Sequence, residues 1–199
     1  NQFSMDEYAG NLRLATTSTE PGTDANPAGV SRNNLYILDA QLEPLGSLEG
    51  LAPGESIFAA RFVKERCYLV TFRQVDPFFV IDLADPAAPA VLGQLSVPGF
   101  STYLHPYDDT HILGFGMDVD AQAPGLPAGL PAALPAALKV GLFDATDPAH
   151  PVQSQQLLLD DGSFSPILYD PKSLLFSKPR NLLAFPVDRF SSGGETKWQ

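Results

Sequence analysis

The chain has 199 residues, a length that fits one domain or at most two small ones, and 44% of them are hydrophobic, which is too many for a disordered chain. No stretch reaches the roughly eighteen uninterrupted apolar residues that a membrane-spanning helix needs. Lys and Arg number 12 against 23 Asp and Glu, and the resulting net charge of −11 opposes binding to the phosphate backbone of nucleic acids.

Short β-rich runs follow one another along the chain. In order they are NLRLATT, NLYILDA, IFAARFV, CYLVTF, FFVIDLA, HILGFG, KVGLFDA, SPILYD and NLLAFPV. The 19 Pro and 16 Gly residues separate these runs at short intervals and disfavour long helices. Runs of β-branched and aromatic residues between turn signals predict the strands of an all-β fold.

Three segments repeat one plan, an apolar strand that ends in Asp, a turn, and a second apolar strand. They are LYILDAQLEPLGSL, FVIDLADPAAPAVLGQL and GLFDATDPAHPVQSQQL, with their strand-ending aspartates at Asp39, Asp82 and Asp144. The first two aspartates are 43 residues apart. The second and third are 62 apart, but about 19 of those residues belong to a foreign segment, so the same period recurs.

The strand that precedes each of these also repeats, with Leu12, Tyr68 and Ile112 in equivalent places and a fourth copy at Leu182. A period in the low forties with four short antiparallel strands per unit predicts the blades of a β-propeller. We place blades at residues 3–53, 54–98 and 99–162 and a partial blade at 163–199, where SPILYD and NLLAFPV supply the strands. This partial propeller of about 3.5 blades leaves open edges, which the remainder of the chain or a second copy would close.

A low-complexity segment rich in Pro and Ala occupies residues 119–137, between the second and third strands of the third blade. Its prolines predict a loop with at most one short helical turn. Two interpretations stay open, a surface insertion or a hydrophobic docking arm. The arm would use the leucines that recur every four residues, Leu126, Leu130, Leu134 and Leu138.

Several polar residues have structural explanations. Asp85 and Asp147 precede proline in ADPAAP and TDPAHP, where an Asp side chain accepts hydrogen bonds from the backbone ahead. Cys67 lies in an apolar run, which indicates a buried and inert thiol. His105, His111 and His150 lack the paired spacing of zinc ligands, so we predict no metal site and no cofactor.

The order and spacing of three strings carry a family resemblance. NQFSMDEYAGNLRLATT, the stretch from RCYLVTFRQVDP to DDTHILGFG, and GLFDATDPAHPV resemble the secreted bacterial and archaeal proteins whose β-propeller domain is distantly related to WD-type repeats. The resemblance covers nearly the whole chain. It implies a propeller that continues beyond these residues, export from the cytoplasm and no assigned activity. No signal peptide is visible, and we expect the targeting segment in a longer precursor.

Loops at one face of a propeller surround the mouth of its channel, and we expect a binding surface there. It would gather Glu55, Arg73, Gln74, Asp76, Asp118, Asp120, Asp160 and Asp161. Such acidic residues either form a solvated rim or hold Ca²⁺. Arg73 either braces its loop through Asp76 or offers its guanidinium to a ligand carboxylate.

His105 and Tyr107 lie in LHPYDD on a predicted innermost strand, where they would line the channel. No nucleophile elbow, nucleotide-binding glycine pattern or acid–base pair is present in the sequence, which argues against an enzyme. We therefore expect a binding scaffold, exported or attached to the cell envelope, that presents its rim to a protein or glycan. The alternatives are a hydrolase or lyase with its site over the channel, and a self-assembling half-propeller.

Overall fold

Three antiparallel sheets of four strands follow one another along the chain. The computed structural model describes residues 3–22, 29–72, 76–119, 135–161, 163–190 and 196–198. The first sheet contains β1 (Met5–Tyr8), β2 (Asn11–Glu20), β3 (Val30–Leu38) and β4 (Pro44–Leu51). The second contains β5 (Ser56–Val63), β6 (Arg66–Phe72), β7 (Asp76–Asp82) and β8 (Ala90–Val97). The third contains β9 (Phe100–Pro106), β10 (His111–Val119), β11 (Pro135–Asp144) and β12 (Val152–Asp161).

Each sheet pairs its strands in chain order, and none closes on itself. This is the blade topology that the repeat predicted, so the all-β propeller fold is confirmed. Two turns of the second sheet, the one after β5 and the one after β7, lie side by side. A hydrogen bond from the backbone N–H of Leu83 to the carbonyl of Glu65 joins them. In the third sheet Ala145 donates in the same way to Thr110. None of the described helices is long and apolar enough to cross a membrane.

The residues after the third sheet form a smaller unit, which we call the fourth unit (residues 163–198). Its strands are β13 (Ser163–Phe164), β14 (Leu175–Ser177), β15 (Leu182–Ala184), β16 (Asp188–Phe190) and β17 (Thr196–Trp198). β14 pairs with β15, and β13, β16 and β17 form a separate three-stranded sheet. Single 3₁₀ turns occur at Pro166–Leu168, Pro171–Ser173 and Lys178–Arg180.

The prediction of a strand at SPILYD is wrong. The hydroxyl oxygen of Ser165 accepts from the backbone N–H of Ile167, and Pro166 occupies the first position of a 3₁₀ turn. Asp170 caps the next turn in the same way by accepting from the N–H of Lys172. A capping side chain followed by proline starts a turn and does not continue a strand. The run NLLAFPV is strand only over Leu182–Ala184, in a hairpin with β14.

The insertion is shorter than its predicted bounds of 119–137. β10 extends to Val119 and β11 begins at Pro135, and these two residues pair across the ladder. Leu126, Leu130 and Leu134 of the predicted docking arm lie outside the described residues. Leu138 does not belong to such an arm, because it is a fully buried strand residue opposite Met117.

One equivalence drawn from the repeat also changes. Leu12 pairs with Leu38, next to Asp39, and Ile112 pairs with Phe143, next to Asp144. In the second sheet the equivalent residue is Cys67 and not the predicted Tyr68, because Cys67 pairs with Ile81, next to Asp82. Cys67 is fully buried, and burial raises the pKa of its thiol to about 12. A buried thiol that stays protonated is unreactive, as the sequence predicted.

The core lies between the sheets. Ala15, Leu35 and Ile37 of the first sheet pack on Leu69 and Ile81 of the second. On its other face the second sheet packs on the third, and the rings of Phe78 and Phe143 stack with centroids 4.4 Å apart. A third cluster joins the third sheet to the fourth unit through Tyr103, Phe115 and Ile167.

Aspartates shape the turns as the sequence predicted. The carboxylates of Asp85 and Asp147 accept from the N–H groups of Ala87 and Ala149, two residues ahead. Asp39, Asp82 and Asp144 accept in the same manner from Gln41, Ala84 and Thr146. These side chains replace backbone partners at the turn and have a structural role.

In each of two outer strands, a glycine lies in close contact with the Asp-Pro turn of the next sheet. A Cβ atom on Gly46 of β4 would lie 2.4 Å from the carbonyl oxygen of Pro86, and one on Gly93 of β8 would lie 2.4 Å from that of Pro148. Both glycines follow an extra, bulged residue in the outer strand. The equivalent residue after the bulge in β12 is Gln155, which is exposed. Glycine therefore sets the distance between sheets at two contacts, the one between the first and second sheets and the one between the second and third.

Replacing Gly93 with Ala tests this docking. The added methyl group overlaps backbone atoms that cannot rotate away, so we expect Gly93→Ala to lower the free energy of unfolding by about 1–3 kcal/mol and the melting temperature by several degrees. Gly141→Ala is the matched control, because a Cβ there would meet its nearest atom at 3.6 Å, an ordinary contact. Equal melting curves for the two variants would contradict the docking role.

Candidate functional site

A cleft of about 560 Å³ opens beside β5 and β9, the first strands of the second and third sheets. We call it the inner cleft. Its lining residues come from the N-terminal segment, from both strands and from the fourth unit: Phe3, Phe58, Thr102, Tyr103, Leu168, Tyr169, Asp170, Pro171 and Lys172. Five of these nine side chains are aromatic or aliphatic rings, and two carry opposite charges.

Two equivalent β-bulges place side chains in the inner cleft. In the second sheet Ile57 pairs with Thr71 and Ala59 with Val70, so Phe58 is the extra residue. In the third sheet Tyr103 pairs with Phe115 and Ser101 with Gly116, so Thr102 is the extra residue. A bulge redirects the side chain that it inserts, and bulges are common beside binding sites.

The third-sheet bulge depends on a glycine. A Cβ atom on Gly116 would lie 1.7 Å from the carbonyl oxygen of Phe100, so no other residue fits opposite this part of β9. The hydroxyl oxygen of Thr102, the bulged residue, is buried and has no hydrogen-bond partner among the described residues. The inner cleft therefore contains a polar atom whose hydrogen-bonding capacity is unused.

Arg61 braces one wall of the inner cleft. Its guanidinium lies 3.7 Å from the ring centroid of Phe3 and 5.5 Å from that of Tyr103, and its Nε donates to the carbonyl of Leu104 at 2.8 Å. Burial lowers the pKa of Arg61 despite the neighbouring Tyr103, and burial raises the pKa of Tyr103. This cation between two rings fixes the N-terminal segment against β9.

The opposite wall is the loop between the two capped turns of the fourth unit. Tyr169 is 70% exposed, and its ring stacks on Phe164 with centroids 6.0 Å apart and planes 26° apart. Asp170 and Lys172 are exposed on either side of Pro171. Because Ser165 and Asp170 cap their turns, the backbone around this tyrosine is fixed by hydrogen bonds.

His105 lies behind the inner cleft and does not line it. Its Nδ1 is 2.8 Å from the hydroxyl of Tyr103, and the edge of its ring meets Phe176 at 4.8 Å between centroids. Burial lowers the pKa of His105, and the charge of Arg61 lowers it further. Both effects favour the neutral form of the imidazole, which lies between the third sheet and the fourth unit.

Tyr107 belongs to a second, apolar pocket of about 210 Å³ at the junction with the hairpin β14–β15. The ammonium group of Lys178 lies 4.3 Å from its ring centroid and donates to the carboxylate of Asp108 at 2.9 Å. Asp108 also accepts from the N–H groups of Thr110 and His111. Partial burial raises the pKa of Asp108, but the hydrogen bonds from Lys178, Thr110 and His111 together hold it well below its usual range.

Of the residues predicted for the acidic rim, the structure describes the side chains of Glu55 and Asp118. Glu55 is turned inward, since its carboxylate accepts from the hydroxyl of Thr71. Asp118 lies near the end of β10, half-buried. Arg73, Gln74 and Asp120 fall outside the described residues, so the interpretations of Arg73 stay predictions. Only the backbone is described for Asp76, Asp160 and Asp161, all at strand ends.

Within the described ranges, no three His, Cys, Asp or Glu side chains group closely enough to hold a metal ion. The calcium alternative therefore gains no support from Glu55 and Asp118.

Sequence reasoning missed most of the inner cleft. It singled out none of the nine lining residues. Of its two candidates nearby, His105 lies on β9 and Tyr107 directly follows that strand. The bulges at Phe58 and Thr102 leave no pattern in a single sequence, because a bulge shifts the register by one residue only. A signal did exist for Tyr169, since the Ser-Pro and Asp-Pro pairs that flank it mark capped turns.

Comparison with known proteins agrees with the blade topology and defines its class. The model of the beta propeller domain family matches residues 1–199. An uncharacterized protein of Methanocaldococcus jannaschii is 37% identical over 187 residues, which cover 94% of this chain and 27% of that protein. An uncharacterized protein of Archaeoglobus fulgidus is 34% identical over 187 residues, which cover 94% of this chain and 26% of that protein.

The chain belongs to the beta propeller domain family. It spans about a quarter of the length of the curated relatives that it matches.

The contacts of Asp108 predict an acid-sensitive junction. Because its pKa is lowered by folding, its contribution to stability is complete above the unfolded pKa of about 4 and is lost as pH falls through the lower folded pKa. We expect the urea-unfolding free energy of the wild type to fall more steeply below about pH 4 than that of Asp108→Asn.

Lys178→Met supplies the companion measurement. It removes one hydrogen bond from Asp108, so carboxyl titration by NMR should show the pKa of Asp108 moving up toward its usual range. An unchanged Asp108 titration in Lys178→Met, or identical acid profiles for the wild type and Asp108→Asn, would rule out this role.

Proposed function

We propose that this β-propeller domain is a non-enzymatic binding scaffold that takes a protein or glycan ligand at the inner cleft. The observation that supports this is the convergence of two bulged strands and a capped loop on one cavity of about 560 Å³. Its size and its mixture of rings with a few polar groups are typical of binding pockets. Four different segments form its walls, so the propeller holds the site rigid.

The alternative of a hydrolase or lyase over the channel has less support. In that alternative His105 would work with carboxylates of the rim. His105 faces Leu113 in the ladder, and Asp118 lies five residues further along β10, roughly 17 Å away at about 3.4 Å per residue. Aromatic rings of Tyr103 and Phe176 flank His105. A general acid or base must reach its proton acceptor or donor within hydrogen-bond distance.

We propose that the domain acts outside the cytoplasm, exported or attached to the cell envelope. The resemblance to secreted propeller proteins supports this location. The net charge of −11 fits it, because it favours solubility and opposes association with nucleic acids.

A capture experiment tests both proposals. The immobilised chain is exposed separately to culture supernatant, envelope extract and cytosol of its host, and to a glycan array. We expect a ligand from the supernatant, the envelope or the array, and we expect Thr102→Phe to abolish its binding, because the ring fills the inner cleft. Val152→Phe is the control, since Val152 is 49% exposed on β12, away from the cleft.

Each outcome bears on one part of the proposal. Capture that Thr102→Phe leaves intact would exclude the inner cleft as the site. Capture from cytosol alone would overturn the extracellular location. No ligand from any source at micromolar protein would count against a binding function.

We also infer that exposed leucines on the last strands are covered by the remainder of the chain or by a second copy. Leu157 and Leu158 of β12 are 54% and 46% exposed, and Leu175 of β14 is 56% exposed. The hairpin residues Leu182 and Leu183 are also exposed, at 41% and 37%. Among the described strands, none pairs the first sheet with the fourth unit. Open propeller edges of this kind favour association.

Sedimentation velocity of the 199-residue chain distinguishes the two coverings. If a second copy covers the leucines, the chain sediments as a dimer, and Leu158→Asp shifts it to monomer. A strict monomer at about 100 μM, a concentration at which even weak micromolar dimers form, would exclude self-assembly and leave the remainder of the chain as the cover.

A further inference from the structure

The inner cleft combines an exposed ring with an unused hydrogen-bonding group. Tyr169 presents most of its ring to solvent at the mouth, and Phe164 supports the opposite face of that ring. Thr102 places a buried hydroxyl in the same cleft with no partner among the described residues. A single exposed tyrosine needs no explanation, but a fixed ring beside an unsatisfied hydroxyl fits a ligand that offers both an apolar face and hydrogen bonds.

The charges at the mouth narrow the ligand class. Asp170 and Lys172 line the same cleft and carry opposite charges, so the site itself is close to neutral. The domain as a whole has a net charge of −11, which repels polyanions such as nucleic acids and acidic polysaccharides. A ligand with many hydrogen-bonding groups and no net charge matches these features.

The bulges argue against an extended peptide. A peptide that adds a strand to a sheet needs an uninterrupted row of free backbone groups along an edge. The edges of β5 and β9 are interrupted at Phe58 and Thr102, where one residue is unpaired and the strand bends. A peptide added as a strand would lose its backbone pairing at these bulges. The cleft is therefore better suited to a ligand that is bound by side chains.

We propose that the inner cleft binds a neutral oligosaccharide, with one sugar ring stacked on Tyr169 and its hydroxyl groups paired with Asp170 and Lys172. The Thr102 hydroxyl, which is buried in the free protein, would join them by rotation of its side chain toward the cleft that it lines. A pyranose ring has the required chemistry, because its C–H groups form an apolar face and its hydroxyls surround that face. This inference rests on the proposed binding function and names the ligand class for the same cleft. It requires no further residue and no bond-making step.

The test uses the intact chain and an array of neutral oligosaccharides of hexose, pentose and N-acetylhexosamine units. Affinity for the strongest array ligand is then measured by calorimetry. We expect Tyr169→Ala to weaken binding by about fivefold or more, as loss of a stacked ring does, whereas Tyr169→Phe keeps most of the affinity. Thr102→Val should weaken binding, and Thr102→Ser, which keeps the hydroxyl, should not.

Circular dichroism and melting curves establish that each variant folds. Tyr169 is exposed, so its replacement keeps the test interpretable even if Thr102→Val fails to fold. Equal affinity of the wild type and Tyr169→Ala would overturn the stacking site. Capture of a protein that Thr102→Phe abolishes, with no sugar bound, would overturn the carbohydrate class and keep the binding function. If neither a sugar nor a protein binds, both proposals fail.

Discussion

The contact between an Asp-Pro turn and an outer-strand glycine is the constraint on which the rest of this structure depends. Gly46 and Gly93 allow the carbonyls of Pro86 and Pro148 to approach where any side chain would intervene. The Asp85 and Asp147 carboxylates fix the shape of the turns that dock there. Because this contact repeats with the sheets, it sets their spacing, and the buried faces can then interlock as stacked rings and aliphatic side chains.

The inner cleft follows from that spacing. Neighbouring sheets bring β5 and β9 side by side, and their equivalent bulges direct Phe58 and Thr102 to one place. Arg61 holds Phe3 and Tyr103 together on one wall, so the cleft keeps its form without a ligand. A site built this way has its geometry fixed before binding, which reduces the ordering that a ligand must impose.

The repeat in the sequence was enough to predict the sheets, because hydrophobic period, turn residues and strand length all agreed over three copies. It was not enough at the fourth unit, where SPILYD has the apolar composition of a strand but begins with a capping Ser-Pro pair. Tyr68 was matched in place of Cys67, because the apolar run CYLV has no polar alternation that would fix its register. The inner cleft was not predicted, because bulges and contacts between sheets leave no pattern in a single sequence. The candidates His105 and Tyr107 do not line it, and Tyr107 belongs to the second pocket.

Gln155 occupies the place where the first two sheets have glycine, and the third sheet therefore meets the fourth unit through side chains. Lys178, Asp108 and a row of rings make that junction, so salt and acid weaken it while leaving the two backbone joints intact. The molecule thus has two joints made by backbone contacts and one made by side chains. Thr102 and Tyr169 stand on opposite sides of the side-chain joint, so a ligand that touches both adds contacts across it and stabilises the junction against acid and salt.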